Sequence, residues 1–600
     1  MSRALDRLRS AFTKLDREHA PLAVWCWTGC PNEAELGRQI EDFASKGVGG
    51  VVVEPREGLQ IPHFGERWWD AVDYTIRKGQ STGLKTWIHD QSCSSSDVEG
   101  QSEEINSTVL LRSTDHQAKT LVRAIHDFTG PVQISLEGRF PLGTPLVQIV
   151  ARLDKNGDLE TDSFKNVTRP NSWSCPDGVW RLFSFSVKAV EDQVDYLRPQ
   201  TVKALLESTY AVYGNRYRSF LGTDIPGVFF GKPHVAAEPL PWTDSLRARF
   251  LKDHGYDLVD SLPLLVQRAG SSTAKVRCDF YNTVGDMYEE AWFVQVSAWC
   301  ERRGLKWIGH TEEHVASHPA RQGDYFQTMR HLSIPVADHR GFRSERPRTV
   351  QPAEIKPAVS VAALAGRDKV MADAFGGAGW GVTPDELRHG ANLLAAYGVD
   401  TQVLRGFFYS MDTAEASDDW PPSFSDPNPC WPHFKTLTEY ITRLSAIVNQ
   451  SKSTASVGVL YPVISVAANT ADGRPNSRAI EIAEIYEAVV DGLIGASVDV
   501  HLVDEKFVSD SRLEGGQLKN GSVAISTLIL PPTPVIGRPA MRRMGAFARS
   551  GGSVICVGER PSSSSDAGGK DRSIVRSTAD IFGVGADTVR GSKIGKGHAY

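Results

Sequence analysis

Eight short apolar segments alternate with longer amphipathic segments along the first two thirds of the chain. The apolar segments begin at residues 22, 51, 84, 225, 305, 333, 369 and 401. Short runs such as LAVWCW and LKTWIHD, each followed by a helical pattern, are typical of parallel strands covered by helices. Eight such strands with intervening helices predict an α/β fold, a (β/α)8 TIM barrel.

Two regions depart from this alternation. Between about 107 and 190, segments such as VQISLEGRF alternate apolar and polar residues, which predicts an inserted antiparallel β unit. After a helix at 433–450, the strand-like segments ASVGVLYP, VDVHLVDE and STLILPP alternate with helical ones. We therefore predict a barrel domain over 1–450 and a smaller open α/β domain over 454–600, resembling a flavodoxin-like or amidotransferase-like layer. The final GKGHAY has a strand-like pattern, so we expect the native chain to continue.

Composition and charge exclude several classes of function. The net charge of −6 offers no basic face for a nucleic acid. We also expect no membrane span, because the sequence contains no run of about 18 apolar residues. The charged N-terminus lacks the apolar core of a signal peptide, which predicts a cytoplasmic protein. The eight cysteines form no C-x-x-C pair, so neither a disulfide framework nor a zinc ribbon is expected.

Polar side chains follow most of the predicted strands. In a barrel of this kind, the C-terminal ends of the strands face the substrate. The side chains expected there are Glu54, Arg56, His89, Asp90, Lys232, His310, Glu312, Glu313, Asp338, His339, Asp373 and Tyr409. Trp27 and Trp380 are among several tryptophans in or beside the same segments. Carboxylates ringed by indoles favour a carbohydrate site, because sugar rings stack on aromatic faces.

These residues also have purely structural interpretations. An acid at a strand end can cap a helix or pair with an arginine, and tryptophans can pack between the barrel and its helices. The segment from His310 to His314 matches the zinc-protease pattern H-x-x-E-H. That motif requires a helix, whereas His310 ends a predicted strand and Pro319 follows within two turns. We therefore reject a zinc protease, and the absence of G-x-S-x-G argues against a Ser-His-Asp hydrolase.

Several segments together resemble a known family. They are AVWCWTGCPNEAELGRQIEDFASKGVGGVVVEPREGL near the N-terminus, VDYL at 194–197, IPGVFF at 225–230, GLKWIGH at 304–310, IPVADH at 334–339, FGGAGWGVT at 375–383, GFFYS at 406–410 and PPSF at 421–424. This pattern covers nearly the whole chain and resembles glycoside hydrolase family 106, the α-L-rhamnosidases. The resemblance implies an enlarged barrel, a calcium-assisted site and inversion at the sugar carbon.

The departures from the family pattern fall on its acids. The family's Asp-Glu-Pro after the fourth strand is replaced by Gly231-Lys232-Pro233, and its Asp-Glu after the third is replaced by Asp90 and Gln91. At the seventh strand, Asp373 stands where the family has Glu, and Arg405 replaces a His of the eighth. Calcium, which the resemblance implies, is less expected because oxygen ligands have been lost.

From these residues and from what the resemblance implies, we predict a glycoside hydrolase acting on an α-L-rhamnoside or a related glycoside of a small molecule or oligosaccharide. Glu313 would be the main acid or base, and Asp373 the second carboxylate, with Glu312 as a further retained acid. The remaining candidates would bind the substrate: Arg56, Asp90, His310, Asp338, His339, Trp27, Trp380 and Tyr409. Two alternatives stay open. One is a lyase, isomerase or cyclase that uses Lys232 as a base or imine former. The other is a sugar-binding protein without turnover.

Overall fold

The computed structural model describes most of the chain. The described residues are 2–90, 101–231, 235, 239–270, 272–339, 350–412, 422–567, 571–583 and 592–600. Within these residues, eight parallel strands close into a barrel. Their bounds are Leu22–Gly29, Gly50–Leu59, Lys85–Asp90, Gly227–Gly231, Lys306–His310, Ile334–His339, Met371–Ala374 and Thr401–Phe408. The eight predicted strands are the eight barrel strands, and the predicted TIM barrel is confirmed.

Helices follow the strands and pack around the outside of the barrel. After the first, second, sixth, seventh and eighth strands these are Glu33–Ser45, Glu66–Thr82, Pro352–Leu364, Pro384–Tyr397 and Phe434–Asn449. The third and fourth connections are longer and contain Gln101–Leu110, Pro199–Ser208, Tyr210–Arg216, Leu246–His254, Leu262–Val266, Thr273–Tyr288 and Gln295–Glu301. The fifth connection holds the short helices His318–Arg321 and Tyr325–Met329. The helix Ser2–Lys14 precedes the first strand and contacts the helix Phe434–Asn449, which follows the eighth strand.

The two-residue period of the strands separates two apolar layers. In the first strand, Val24 and Cys26 belong to the cluster that fills the barrel, whereas Trp25 and Trp27 belong to the core between the barrel and the helices. Trp87 of the third strand also fills the barrel. Both faces are buried, which explains why these strands are continuously apolar in sequence.

The predicted antiparallel unit lies in the connection after the third strand. Its five strands are Gln117–Ser135, Thr144–Arg152, Lys165–Asn166, Ser172–Val194 and Leu240–Trp242. Two long strands pair over almost their whole length, from Gln117 opposite Val194 to Ser135 opposite Ser172. The sheet begins about ten residues later than predicted, because the chain up to Leu110 is helical, and it ends a few residues later. It also gains an edge strand from beyond the fourth barrel strand.

A second sheet of six strands follows the barrel. In spatial order its strands are Val500–Val503, Val457–Leu460, Thr527–Leu530, Ser553–Cys556, Gly597–Ala599 and Ser592–Ile594. All neighbours are parallel except the last pair. The helices Val463–Ala468, Ser477–Gly495, Glu505–Asp510, Arg538–Ser550 and Arg572–Phe582 complete this α/β unit. We refer to residues 457–599 with these helices as the second α/β unit.

Candidate active site

Polar side chains cap the apolar filling of the barrel. Six of the residues that fill the barrel are followed, two positions later in the same strand, by a polar residue on the same inward face. The pairs are Val52 and Glu54, Trp87 and His89, Ile308 and His310, Val336 and Asp338, Met371 and Asp373, and Val403 and Arg405. The strands are parallel, so these six polar groups meet at one end of the barrel. We call this set the barrel-mouth cluster.

Arg405 links two acids of the barrel-mouth cluster. Its Nε donates to both oxygens of Asp373 at 3.0 and 3.1 Å, and its Nη2 lies 2.8 Å from Asp373 Oδ2. Its Nη1 donates to Glu54 Oε2 at 3.2 Å. Arg56 Nη1 and His89 Nε2 lie 3.5 and 3.6 Å from Glu54 Oε1. A guanidinium with five donors in a planar fork is suited to hold two carboxylates in this way.

These contacts fix the charge state of both acids. Burial alone would raise the pKa of Glu54, but the charges of Arg405, His89 and Arg56 outweigh it and lower that pKa to about 2. Burial of Asp373 is likewise outweighed by Arg405 and His310, so the pKa of Asp373 is lowered. Both carboxylates are therefore ionised at neutral pH, and neither is suited to donate a proton.

His310, Asp338 and Asp373 form a buried group of three possible metal ligands. The His310 Nε2 lies 3.4 Å from Asp373 Oδ2, and its Nδ1 lies 3.9 Å from Asp338 Oδ2. One ligand atom from each residue lies within 4.8 Å of the others. Calcium takes six to eight oxygen ligands. This group offers one imidazole and two carboxylates, and the Arg405 guanidinium already neutralises the carboxylate of Asp373. The described residues therefore do not fit the calcium that the family resemblance implies.

The loop after the fifth strand carries Glu312 and Glu313. Its backbone at 311–317 is not helical, so His310 and His314 share no helical face, and the structure agrees with the rejection of a zinc helix. Glu312 is anchored through its backbone: its N–H donates to Gln322 Oε1 at 3.1 Å, and its carbonyl accepts from Gln322 Nε2 at 3.4 Å. The Glu312 carboxylate lies 3.8 Å from Arg321 Nη1.

Glu313 is close enough to the buried Tyr325 for its charge to act on that phenol. Burial, together with the charge of Glu313, raises the pKa of Tyr325 above its ordinary value. Glu313 itself is half-buried. The following residue, His314, pairs with Glu487 of the second α/β unit at 3.7 Å, and this contact raises the pKa of His314. The loop at 311–317 therefore touches both the barrel and the second unit.

Two predicted substrate-binding residues face away from the barrel interior. Asp90 follows the inward-facing His89 and points to the helical layer, where its Oδ2 accepts a 2.5 Å hydrogen bond from Tyr210 Oη. His339 follows the inward-facing Asp338 and is buried with its ring 5.5 Å from that of Phe375. Burial lowers the pKa of His339 to about 4, so its imidazole is neutral.

The assignments of Trp27 and Tyr409 to substrate binding were wrong. Trp27 is completely buried between the barrel and the helices, where it packs edge-on against Trp68 at 5.1 Å. Tyr409 lies beyond the eighth strand, and its hydroxyl contacts the N-cap of the helix Glu33–Ser45 by accepting from Asn32 N and Nδ2. Both side chains therefore stabilise the fold outside the barrel, whereas Trp380 is partly exposed in the loop after the seventh strand.

Lys232 lies outside the described residues. Glu54 and His89 were expected at the strand ends but were given no role, and Arg405 was noted only as a departure from the family pattern, although Arg405 and Glu54 are central to the barrel-mouth cluster. The signal that could have found them was present in the sequence. Each lies two positions beyond an inward-facing apolar residue, and side chains two apart on a strand share a face.

Comparison with known proteins supports the same architecture. The family model described as alpha-L-rhamnosidase matches residues 186–600, which include five barrel strands, the loop with Glu313 and the second α/β unit. The chain belongs to glycoside hydrolase family 106. This membership confirms the resemblance seen in the sequence, and it places the chain in a family of glycosidases.

Solved structures and a curated relative add to this comparison. A rhamnosidase from Novosphingobium sp. PP1Y superposes with a TM-score of 0.69 at 14% identity, over 99% of this chain and 73% of that one. A beta-galactosidase from Marinomonas ef1 superposes with a TM-score of 0.59 at 10% identity, over 93% and 78%. At these identities the likeness shows the fold alone.

A protein named "Putative beta-glucuronidase" from Formosa agariphila is 23% identical over 442 residues, which are 70% of this chain. The match spans about a third of that relative's length, 34%.

Among the described residues, no helix is both long and apolar enough to cross a membrane.

Proposed function

We propose that the chain hydrolyses a glycoside, and that an α-L-rhamnoside of a small molecule or an oligosaccharide is its substrate class. The observation that carries this proposal is the family match over 186–600, which includes the loop that bears Glu313. The acids, imidazole and guanidinium of the barrel-mouth cluster supply groups that hydrogen-bond sugar hydroxyls. The cytoplasmic location and the carbohydrate partner predicted from the sequence remain part of the proposal.

Glycoside hydrolysis needs one protonated acid at the leaving oxygen and one carboxylate on the other side of the sugar carbon. Asp373 is held in its ionised form by Arg405, so we assign it the role of the carboxylate. We assign the role of proton donor to Glu313, which lies on the loop after the fifth strand. Arg56 contacts Glu54, and His310 and Asp338 belong to the barrel-mouth cluster, so all three would position hydroxyl groups.

The substrate class is tested with a panel of nitrophenyl glycosides. The wild-type protein should release nitrophenol from the α-L-rhamnoside faster than from the β-D-galactoside or β-D-glucuronide. Turnover of the glucuronide alone would contradict the rhamnoside assignment and leave the glycosidase assignment standing. Release from none of the sugars, together with no product from rhamnosylated oligosaccharides, would contradict both.

The role of Glu313 is tested by substitution. Glu313→Gln should lower kcat/KM by about 10²–10⁴, the usual contribution of a positioned acid or base. If Glu313 donates the proton, a dinitrophenyl rhamnoside, whose leaving group needs no protonation, should lose much less rate than a methylumbelliferyl one. Equal losses would contradict the donor role. Glu439→Gln, on the outer helix Phe434–Asn449, is the control for the substitution itself.

One observation favours a second candidate function. Arg405 engages both oxygens of Asp373 and also contacts Glu54, which leaves two mouth acids in ion pairs. Such an arrangement can hold a sugar without cleaving it. Calorimetry that shows binding of rhamnose or a rhamnoside, with no product by chromatography, would favour this sugar-binding function over hydrolysis.

A further inference from the structure

We propose that Tyr461, in the second α/β unit, is a positioning residue for the loop that carries Glu312 and Glu313, and that it acts through His318. The catalytic consequence rests on the proposed function, whereas the positioning itself can be measured without any substrate. The second α/β unit thereby becomes part of the scaffold of the active site, in addition to being a neighbour of the barrel.

Two short hydrogen bonds connect these residues. The Tyr461 hydroxyl lies 2.7 Å from His318 Nδ1. On the other side of the same ring, His318 Nε2 lies 2.7 Å from the backbone carbonyl oxygen of Glu312. His318 is completely buried, and Tyr461 is almost so. The connection joins residues 143 apart in the chain and leads directly to the backbone beside Glu313.

The chemistry of the partners decides the direction of both bonds. The Glu312 carbonyl can only accept, so Nε2 of His318 carries the proton and donates it. In a neutral imidazole, Nδ1 is then an acceptor, and the Tyr461 hydroxyl must be the donor. Burial lowers the pKa of His318 to about 4, so the ring is neutral at neutral pH, as both hydrogen bonds require. A single tautomer therefore satisfies the whole chain of contacts.

The surroundings keep His318 and Tyr461 in place. The Tyr461 backbone N–H donates to Val503 O at 2.8 Å, which ties it to the sheet of the second unit. The His318 ring stacks at 5.5 Å and 11° on Tyr325, the residue whose pKa is raised partly by Glu313. The phenol of Tyr461 thus holds the imidazole of His318. That imidazole in turn holds the Glu312 carbonyl and stacks on Tyr325.

Loss of the hydroxyl would leave Nδ1 of His318 without its donor in a buried place. The tautomer protonated on Nε2 stays favoured, because the other would set a ring lone pair against the Glu312 carbonyl. The ring is, however, no longer fixed from the side of the second α/β unit, so it holds the loop backbone less firmly, while the barrel-mouth cluster keeps its own contacts. Because a misplacement of about 1 Å can cost about 10²-fold in rate, a catalytic effect is expected without a direct contact to substrate.

Tyr486 provides a matched control. It is as buried as Tyr461 and packs edge-on against it at 5.4 Å, but its hydroxyl has no hydrogen-bond partner among the described residues. Tyr461→Phe and Tyr486→Phe therefore remove the same atom from the same aromatic cluster, and only the first removes a hydrogen bond to His318.

The experiment compares these two variants in the full chain. We expect Tyr461→Phe to speed amide hydrogen exchange at residues 311–318 about tenfold or more, and to lower kcat by about 10- to 100-fold with a smaller change in KM. Tyr486→Phe should leave both near wild type. Equal exchange rates in the two variants would overturn the proposal, whether or not the wild type cleaves a glycoside. Faster exchange in a chain that cleaves no glycoside would instead leave the positioning intact and overturn the proposed function.

A second measurement needs no substitution. Nitrogen NMR of the histidine side chains should show His318 as the neutral tautomer protonated on Nε2, with no titration between about pH 5 and 8. A ring protonated on Nδ1, or one that titrates in that range, would contradict the proposed direction of the hydrogen bonds and overturn the inference.

Discussion

Arg405 and Asp373 form a buried ion pair in which Nε and Nη2 of the guanidinium face both carboxylate oxygens at 2.8–3.1 Å. The same guanidinium contacts Glu54, 351 positions earlier in the chain. One cation therefore neutralises acids from the second and seventh strands at the mouth of the barrel. The charge of Arg405 keeps Glu54 and Asp373 ionised.

Removal of the Arg405 charge should destabilise the fold. In Arg405→Met, Glu54 and Asp373 lose their shared cation while they stay buried, and breaking a buried pair costs roughly 3–5 kcal/mol. Urea unfolding measures the change. Arg443→Met removes a cation that pairs with Glu439 at the surface, and it should cost about 1 kcal/mol or less. Similar losses in the two variants would contradict the buried role of Arg405.

The pair of Asp324 and Asp504 predicts a fall of stability with rising pH. Burial, with the charge of Asp504, raises the pKa of Asp324 from 3.8 to about 7, although Arg330 acts in the opposite direction. Between these pH values the folded chain keeps a proton that the unfolded chain has released. The free energy of unfolding should therefore decrease from about pH 4 to about pH 7.

Asp324→Asn tests this dependence. The amide oxygen can still accept from Phe326 N and Gln327 N, but the side chain can no longer ionise. Chemical unfolding at a series of pH values should show a flatter profile than wild type. Asp385→Asn, at a side chain that is 88% exposed, is the control and should keep the wild-type slope. An unchanged slope in Asp324→Asn would contradict the assignment.

The pair of His314 and Glu487 predicts a second loss of stability with rising pH, this time from a base that loses its charge. The hydrogen bond that His314 donates to Glu487, helped by the charges of Glu354 and Glu312, raises the pKa of His314 above 6.5. Its contribution to stability is therefore fully present below about pH 6.5 and is lost as pH rises through the raised value. Both side chains are more than a third exposed, so the effect is small and screened by salt.

The measurement is the amide exchange of residues 311–317 on either side of that transition. In wild type the exchange, corrected for its intrinsic pH dependence, should quicken as His314 loses its proton. Glu487→Gln should show the faster exchange already at low pH. A wild-type loop that is equally protected in the protonated and neutral states would show that this pair does not hold it.

Tyr210 should stabilise the fold through Asp90. Its hydroxyl donates to Asp90 Oδ2 at 2.5 Å, and both residues are buried. Tyr210→Phe deprives a buried carboxylate oxygen of this donor, which should cost about 1–3 kcal/mol in urea unfolding. Tyr486→Phe, whose hydroxyl has no partner among the described residues, should cost less. The reverse order would contradict this role of Tyr210.

Much of the architecture could be predicted from local sequence patterns. All eight barrel strands were located by their apolar runs, because a strand buried on both faces is continuously apolar. The inward-facing polar residues could also be predicted, because two residues that are two positions apart on a strand, such as Ile308 and His310, share a face. The assignment of Trp27 was wrong because the same alternation, continued from Val24 and Cys26, sends Trp27 to the helical layer. The assignment of Tyr409 was wrong because the pairing of the eighth strand shifts by one residue after Arg405, so that Tyr409 faces outward.

The sequence by itself determined the strands, their order of inward and outward residues, and the family resemblance, because each depends on neighbours within a few positions. Only the tertiary structure decided which polar groups meet: Arg405 with Glu54 and Asp373, and Tyr461 with His318. These partners are separated by 32 to 351 positions, and no local period relates them. The closure of the barrel and the packing of the second α/β unit against the outer helices bring them together, and that closure decides which carboxylates are paired with a cation.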